Sequence, residues 1–579
     1  MPTDYKRTWI QDAGETIVRH LSFIGPGLIA AVAYCDPGNW ATDMEAGSRF
    51  GYKLLFTVLL SGLFAVLLQV LCCRLGAVTG YDLAFQTRRL VLGLPPGSGP
   101  LPDMRSTRMR LRYWGLLIPL YLINELAIIA TELAELIGSA IALSMLFPKL
   151  PLWGGVLVTS ADVFLVLVLY RPNTGVRLFE AFIGVLVLVV LACFIVLLAR
   201  VEPNWGQVFY GYVPSPTVVD PRGLYVSISI LGATIMPHSL VLGSHFATID
   251  RLREYRELDK VDQVEAHMQG WAFIKNKIWR QLLARSAKIP GSSEVDEIED
   301  RGAVSLRNLQ LHLKHSSWDI AICLVLFAIT INSAILIVAS AAFFYGNNAK
   351  GDTEVVADLF QAFNLLRDTV GKVPAILFAI ALLAAGQSSS ITVTLAGQLI
   401  SEGFIHWRIS PFMRRLVTRC ISVIPSMLVA TLVGRKGMDE MLVASQVALS
   451  MALPFVSFPL VLFTCLPKRM ATLVNNDMRH KSTPKPPDYG TAIESSAEPE
   501  SERAAPAEHR LERAESSQEE AHESKETIWG RLWRWTRFLF VDAFLRYRDD
   551  AKHIGETYTR YFHTPVVFQV LSWAVFLLI

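Results

Sequence analysis

Charge is scarce in this 579-residue chain: Asp, Glu, Lys and Arg make up 18% of it, against a hydrophobic share of 52%. A soluble domain carries about 25% charged residues, so that class is excluded. Cysteine is scarce too. The seven present (Cys35, Cys72, Cys73, Cys193, Cys323, Cys420 and Cys465) lie in or beside apolar runs with no metal-finger spacing, so no disulfide framework is implied. No Asn-x-Ser/Thr signal occurs, which fits short outer loops. A nucleotide loop, an activated nucleophile and a zinc-hydrolase spacing are all missing. Neither an enzyme, nor a resident cofactor, nor a nucleic-acid partner is expected. The N-terminus, MPTDYKRTWIQDAGETIVRHLSF, lacks the basic-then-apolar pattern of a cleaved signal peptide, which leaves targeting to the first span.

Long apolar runs are abundant, and mean hydropathy is +0.38. Runs able to cross a bilayer, or nearly so where broken, lie at 21–48, 53–78, 113–146, 152–170, 177–200, 223–247, 318–345, 373–401, 416–433 and 440–466. An eleventh starts at Val566 and ends with the chain at Ile579; at roughly 21 Å it is short for a span, so this helix is expected to be short or truncated. The chain is therefore expected to be an all-α polytopic membrane protein with about 11 transmembrane helices. With the N-terminus cytoplasmic, Arg88, Arg89, Arg105, Arg108, Arg110, Arg112, Arg171, Arg177, Arg408, Arg414 and Arg415 fall on inside loops, as the positive-inside rule requires.

The expected layout follows from these runs. A cytoplasmic N-terminus (1–20) precedes the first part of the membrane core, helices one to six (21–247), and a cytoplasmic loop (248–316) leads to the second part, helices seven to ten (317–467). Residues 468–526 shift to Pro, Ser, Glu, Lys and Arg with few aromatics and read as a disordered cytoplasmic insertion. An amphipathic juxtamembrane segment (527–564), in which Trp and Phe interleave with Arg, suits a helix on the inner membrane surface or a docking helix. The final helix is 565–579. DLFQAFNLLRDTV, Asp358 to Val370, reads as a short interfacial helix.

Two of the apolar runs are interrupted. Asp36, Pro37, Gly38 and Asn39 break the first, and Pro237 breaks the sixth within ATIMPH, Ala233 to His238. A proline in a spanning helix frees backbone carbonyls. A carboxylate beside such a break, at a cost of several kcal/mol, is kept where a cation is bound or moved. Two broken helices in corresponding halves mark a transporter's midplane site, and the charge pattern gives the halves opposite orientation.

DPGNWATD with GSRFGYKLL, ELAIIATELAELIGSAIAL, GATIMPHSLVLGS, ALLAAGQSSSITVTLAGQLISEGF and ASQVALSMALPF resemble the Nramp family of proton-coupled divalent metal transporters, across spans one, three, six, eight and ten. SLVLG after Met236-Pro237-His238 and the insertion before the last span are similar to fungal members. The resemblance implies a LeuT-like 5+5 inverted repeat with helices 1 and 6 broken. It implies that Asp36, Asn39, the Ala233 carbonyl and Met236 form the metal site, joined by Gln387 when the site closes. The chemistry agrees: hard Ca²⁺ and Mg²⁺ gain little from a thioether, whereas Mn²⁺ and Fe²⁺ use it.

The resemblance further associates proton movement with His238 and the face of span three that carries Glu125, Glu132 and Glu135, spaced seven and three residues apart. The alternative for these carboxylates is pairing with Arg414, Arg415 or Arg419. Asp43 and Asp162 either line the pathway or cap and pair, and Cys35 either offers sulfur or packs. Many family members carry a second His five residues after the first, where this chain has Gly243. His245 either replaces it or is a satisfied interfacial residue.

The expected function is import of Mn²⁺, Fe²⁺ and similar ions into the cytosol by proton symport and alternating access, from the plasma membrane or a vacuolar or endosomal membrane. The alternatives are a nonconducting metal sensor, or another cation or amino-acid symporter of the same fold. Pro486, Pro487 and Tyr489 complete a PPxY pattern that WW domains bind as polyproline II, which points to a ubiquitin ligase as partner. Replacing Tyr489 is expected to slow metal-induced removal from the membrane. Identical turnover of the variant, followed by quantitative blotting, would return the pattern to chance.

Overall fold

The computed structural model describes residues 26–94, 106–169, 176–249, 304–346, 358–369, 371–406, 411–466, 469–475, 557–562, 564 and 566–579. The N-terminus, most of the 248–316 loop, the 476–526 part of the insertion, the PPxY pattern and the Trp/Arg-rich segment lie outside them. Among the described residues, six helical stretches are long and apolar enough to cross a membrane, so the chain is an integral membrane protein. Shorter apolar helices, among them Val187–Val201 and Val417–Leu432, accompany them.

The first span is two helices, α1 (Pro26–Ala33) and α2 (Pro37–Phe50), separated at Tyr34–Asp36. Pro37 occupies the first turn of α2, where its missing N–H costs nothing. Asp36 caps α2, its carboxylate accepting from the Asn39 backbone N–H at 2.9 Å. α3 (Leu55–Thr79) crosses back and leads to the short α4 (Leu83–Leu92), capped by Asp82. α5 (Ile118–Leu146), α6 (Leu152–Leu169) and α7 (Val176–Val201) complete the first half. The sixth span repeats the first break: α8 (Pro221–Thr234) stops, Ile235 leaves the helix, Met236 is extended, and α9 (Pro237–Phe246) restarts on a proline.

In the second half, α10 (Leu306–Cys323) begins well ahead of the apolar run and continues through a π-helical turn, Leu324–Ile329, into α11 (Thr330–Ala339), which a second π-helical turn, Ser340–Tyr345, follows. The segment expected to be a short helix is one, α12 (Leu359–Thr369), two-sided, with Leu359, Phe360 and Leu366 buried and Gln361, Arg367 and Asp368 exposed. α13 (Lys372–Ile405), α14 (Pro411–Leu432), α15 (Arg435–Cys465) and the terminal α16 (Val566–Leu578) follow.

The apolar pattern gives no sign of one small sheet. β1 (Val304–Ser305) pairs in parallel with β2 (Ala471–Asn475), which pairs antiparallel with β3 (Thr557–Tyr561). These strands join the ends of α10, α15 and α16, and two to five residues are too few to show alternation.

Small residues set how closely the spans approach. The Pro37 ring packs against Gly138 of α5, where a Cβ would collide with it, and a Cβ on Gly386 of α13 would lie 3.4 Å from its Cγ. α2 is thereby wedged between the two long helices. At the start of the first span, the Gly27 N–H of α1 donates to Asp319 Oδ2 of α10 at 2.8 Å, which satisfies a first-turn donor with a carboxylate. Gly76 of α3 faces the Ser244 backbone carbonyl of α9 so closely that any Cβ would overlap it. Gly76→Ala is therefore expected to destabilise the fold by about 1–3 kcal/mol, the range for overpacking. The check is a lowered melting temperature in detergent, monitored by size-exclusion chromatography after heating.

Candidate metal site

Three of the residues singled out in the sequence meet across the two breaks. Asn39, in the first turn of α2, sends Nδ2 to Asp36 Oδ1 at 2.7 Å and to the Ala233 carbonyl at 3.0 Å. Ala233 sits at the end of α8, where the helix stops and the carbonyl is released. A carboxylate, an amide and a free carbonyl from two spans thus share one point. All three residues are at most 1% exposed. Asp36 Oδ2 has no hydrogen-bond partner among the described residues, which leaves a buried anionic oxygen open to an incoming cation.

Met236 caps α9, three residues beyond Ala233, and is fully buried against Ala127, Leu449 and Ala452. Its carbonyl accepts from Ser239 Oγ at 2.8 Å. Gln387 is half-buried on α13, next to the Gly386 that faces Pro37. No side-chain hydrogen bond joins it to Asp36, Asn39 or Ala233 among the described residues. Among the described residues no three His, Cys, Asp or Glu side chains cluster as a conventional metal site.

His238 lies two residues after Met236 and is fully buried, with neither ring nitrogen hydrogen-bonded among the described residues. Glu132 and Glu135 face inward from α5. Glu135 accepts from Ser389 Oγ of α13 at 2.7 Å, and Glu132 from Thr418 Oγ1 at 2.8 Å and Ser422 Oγ at 3.3 Å, both of α14. Arg419, between those two α14 residues, is buried and hydrogen-bonded to Ser390. The arginine and carboxylate alternatives for this face therefore occupy one neighbourhood, bridged by the adjacent serines. Glu125 is half-buried nearer the start of α5.

His245 stands apart, with Nδ1 3.8 Å from Asp82 Oδ2, while Asp82 Oδ1 caps α4 through Phe85 N–H at 2.9 Å. At Gly243 a Cβ would run into Gln69 Oε1. The room a larger residue would need is filled by Gln69, whose Nε2 donates to Tyr34 Oη at 2.9 Å and the Ser239 carbonyl at 3.0 Å. Cys35 packs in a hydrophobic cluster with Trp40 and Ala41. Asp43 is 1% exposed and its carboxylate has no described partner.

Sequence reasoning missed Asn332 of α11. Its Nδ2 donates to the Tyr34 carbonyl at 3.0 Å and to Asn39 Oδ1 at 3.2 Å. It also missed Gln446 of α15, whose amide packs against Gly38. The available signal was a lone amide in an apolar run, TINSAILIVA for the first and ASQVALS for the second.

A family profile described as "Natural resistance-associated macrophage protein-like" matches residues 27–91 and 108–481. The manganese transporter pdt1 of Schizosaccharomyces pombe is 43% identical over 472 residues, 81% of this chain and 79% of that protein. The iron transporter SMF3 of Saccharomyces cerevisiae is 39% identical over 463 residues, 79% of this chain and 84% of that one. A crystal structure of the Eremococcus coleocola manganese transporter, in complex with an aromatic bis-isothiourea substituted compound, superposes with a TM-score of 0.54 at 27% identity, covering 100% of this chain and 94% of that one.

Proposed function

The chain belongs to the Nramp family and shares its LeuT-like fold, and from that premise we propose that it imports Mn²⁺, Fe²⁺ and related transition-metal ions into the cytosol by proton symport and alternating access. Relatives named as manganese and iron transporters support a divalent-metal cargo. The observation that carries the reading is the meeting of Asp36, Asn39 and the Ala233 carbonyl across both helix breaks.

In this reading the cargo displaces the Asn39 N–H from between Asp36 Oδ1 and the Ala233 oxygen. Asp36 supplies the formal charge, Ala233 and Asn39 supply neutral oxygen, and Met236 supplies the polarizable sulfur that disfavours Ca²⁺ and Mg²⁺. Gln387, one residue from the Pro37 contact, joins on closure. Protons move by way of His238 and the Glu135, Glu132 and Glu125 face of α5. The support for that route is burial of His238, Glu132 and Glu135, with the Ser389, Thr418 and Ser422 hydroxyls as relay partners. The PPxY partner remains a separate proposal, carried by the sequence pattern alone.

Mn²⁺ uptake into proteoliposomes, with internal pH recorded, tests this. Native protein is expected to give saturable uptake with acidification, and Asp36→Ala to abolish it. Met236→Ala is expected to keep part of the Mn²⁺ flux while admitting Ca²⁺ or Mg²⁺; unchanged exclusion of those ions would sink the thioether argument. Metal binding without flux in a folded sample would favour the sensor.

A further inference from the structure

Asn39 faces the wrong way to be a ligand. Its Nδ2 points at Asp36 and Ala233, and its Oδ1 points at α11, where Asn332 Nδ2 holds it at 3.2 Å. An amide coordinates a cation through oxygen only, so binding requires a half-turn of the Asn39 amide. That half-turn presents the Asn39 N–H₂ to α11. Two amide N–H₂ groups facing each other leave buried donors unpaired, a costly arrangement at a site this dry. Asn332 carries the remedy. Its Oδ1 is buried on a residue 1% exposed and has no hydrogen-bond partner among the described residues.

We propose that Asn332 is a positioning residue for the Asn39 ligand: its N–H holds the Asn39 oxygen out of the site when the cation is absent, and its Oδ1 accepts the Asn39 N–H when the cation is bound. Asn332 also donates to the Tyr34 carbonyl at 3.0 Å, so the same side chain is anchored on the first helix break. Two features hold it at this level. Gly47 brings α2 against α11 at Leu336 and Ala339, where a Cβ would collide, and π-helical turns bracket α11 on both sides. The role rests on the metal site proposed above.

The test is a double-mutant cycle on the full-length purified protein, with Mn²⁺ binding measured by titration calorimetry and folding checked by melting temperature. Asn332→Leu removes the donor that opposes the half-turn as well as the acceptor that supports it; because that donor is shared with Tyr34 and sits 3.2 Å from Asn39 Oδ1, the loss falls mainly on the bound state, and Mn²⁺ binding is expected to weaken by up to about tenfold. In an Asn39→Ala background the same substitution is expected to cost nothing further, because there is no amide left to orient. Should Asn332→Leu fail to fold, Asn332→Ser, too short to bridge Tyr34 and Asn39, runs the same cycle. Equal weakening in both backgrounds, or none in either, would overturn the positioning role while leaving the site standing. Unchanged Mn²⁺ binding in Asn39→Ala alone would overturn the site assignment and the role together.

Discussion

Inside a bilayer every peptide group must find a partner within the protein, and the two broken spans create the places where that requirement is hardest to meet. The structure meets it with side chains. The Tyr34 carbonyl, opened at the first break, takes the Asn332 N–H; the Ala233 carbonyl, opened at the second, takes the Asn39 N–H; the Met236 carbonyl takes Ser239 Oγ. One of these side chains, Asn39, placed to satisfy the Ala233 carbonyl, also brings the Asp36 carboxylate, its own amide and that carbonyl to one point. The hydrogen bond that satisfies the broken backbone at Ala233 is the same one that builds the proposed metal site.

That set depends on close packing around it. Pro37 can start a helix because its ring fits between Gly138 and Gly386, and the fit ties the first break to the two long helices that carry Glu132, Glu135, Ser389 and Gln387. Hydroxyls from α13 and α14 reach the α5 carboxylates, so burying those acids costs less than burying them among aliphatic chains. The Nramp resemblance covers this whole assembly, since the profile match runs through α15.

Much of this is legible in the sequence. A proline with polar neighbours inside an apolar run marks a broken span, and Asp36 marks the charge at its centre. Period counting places Glu125, Glu132 and Glu135 on one face. What the sequence hides are partners contributed by distant segments. Thr418 and Ser422 look like ordinary hydroxyls of a spanning helix until α14 is laid beside α5. Asn332 sits in TINSAILIVA as one amide among aliphatic residues, and no local pattern says that it faces Asn39, 293 positions earlier. The start of α10 at Leu306 is hidden for the opposite reason: its first turns are polar, so hydropathy locates only the part that enters lipid.

The contact of Gly76 with the Ser244 carbonyl has a mechanical meaning. Helices separated by side chains can adjust by changing rotamers, whereas two backbones in direct contact can only stay together or part. α3 and the half-helix that begins at Pro237 are thus one stiff piece, further pinned by Gln69 reaching Ser239. Displacing the half-helix of the sixth span without the second span would break both the Gly76 contact and the Gln69 bond to Ser239, which couples the two helices at this end of the molecule.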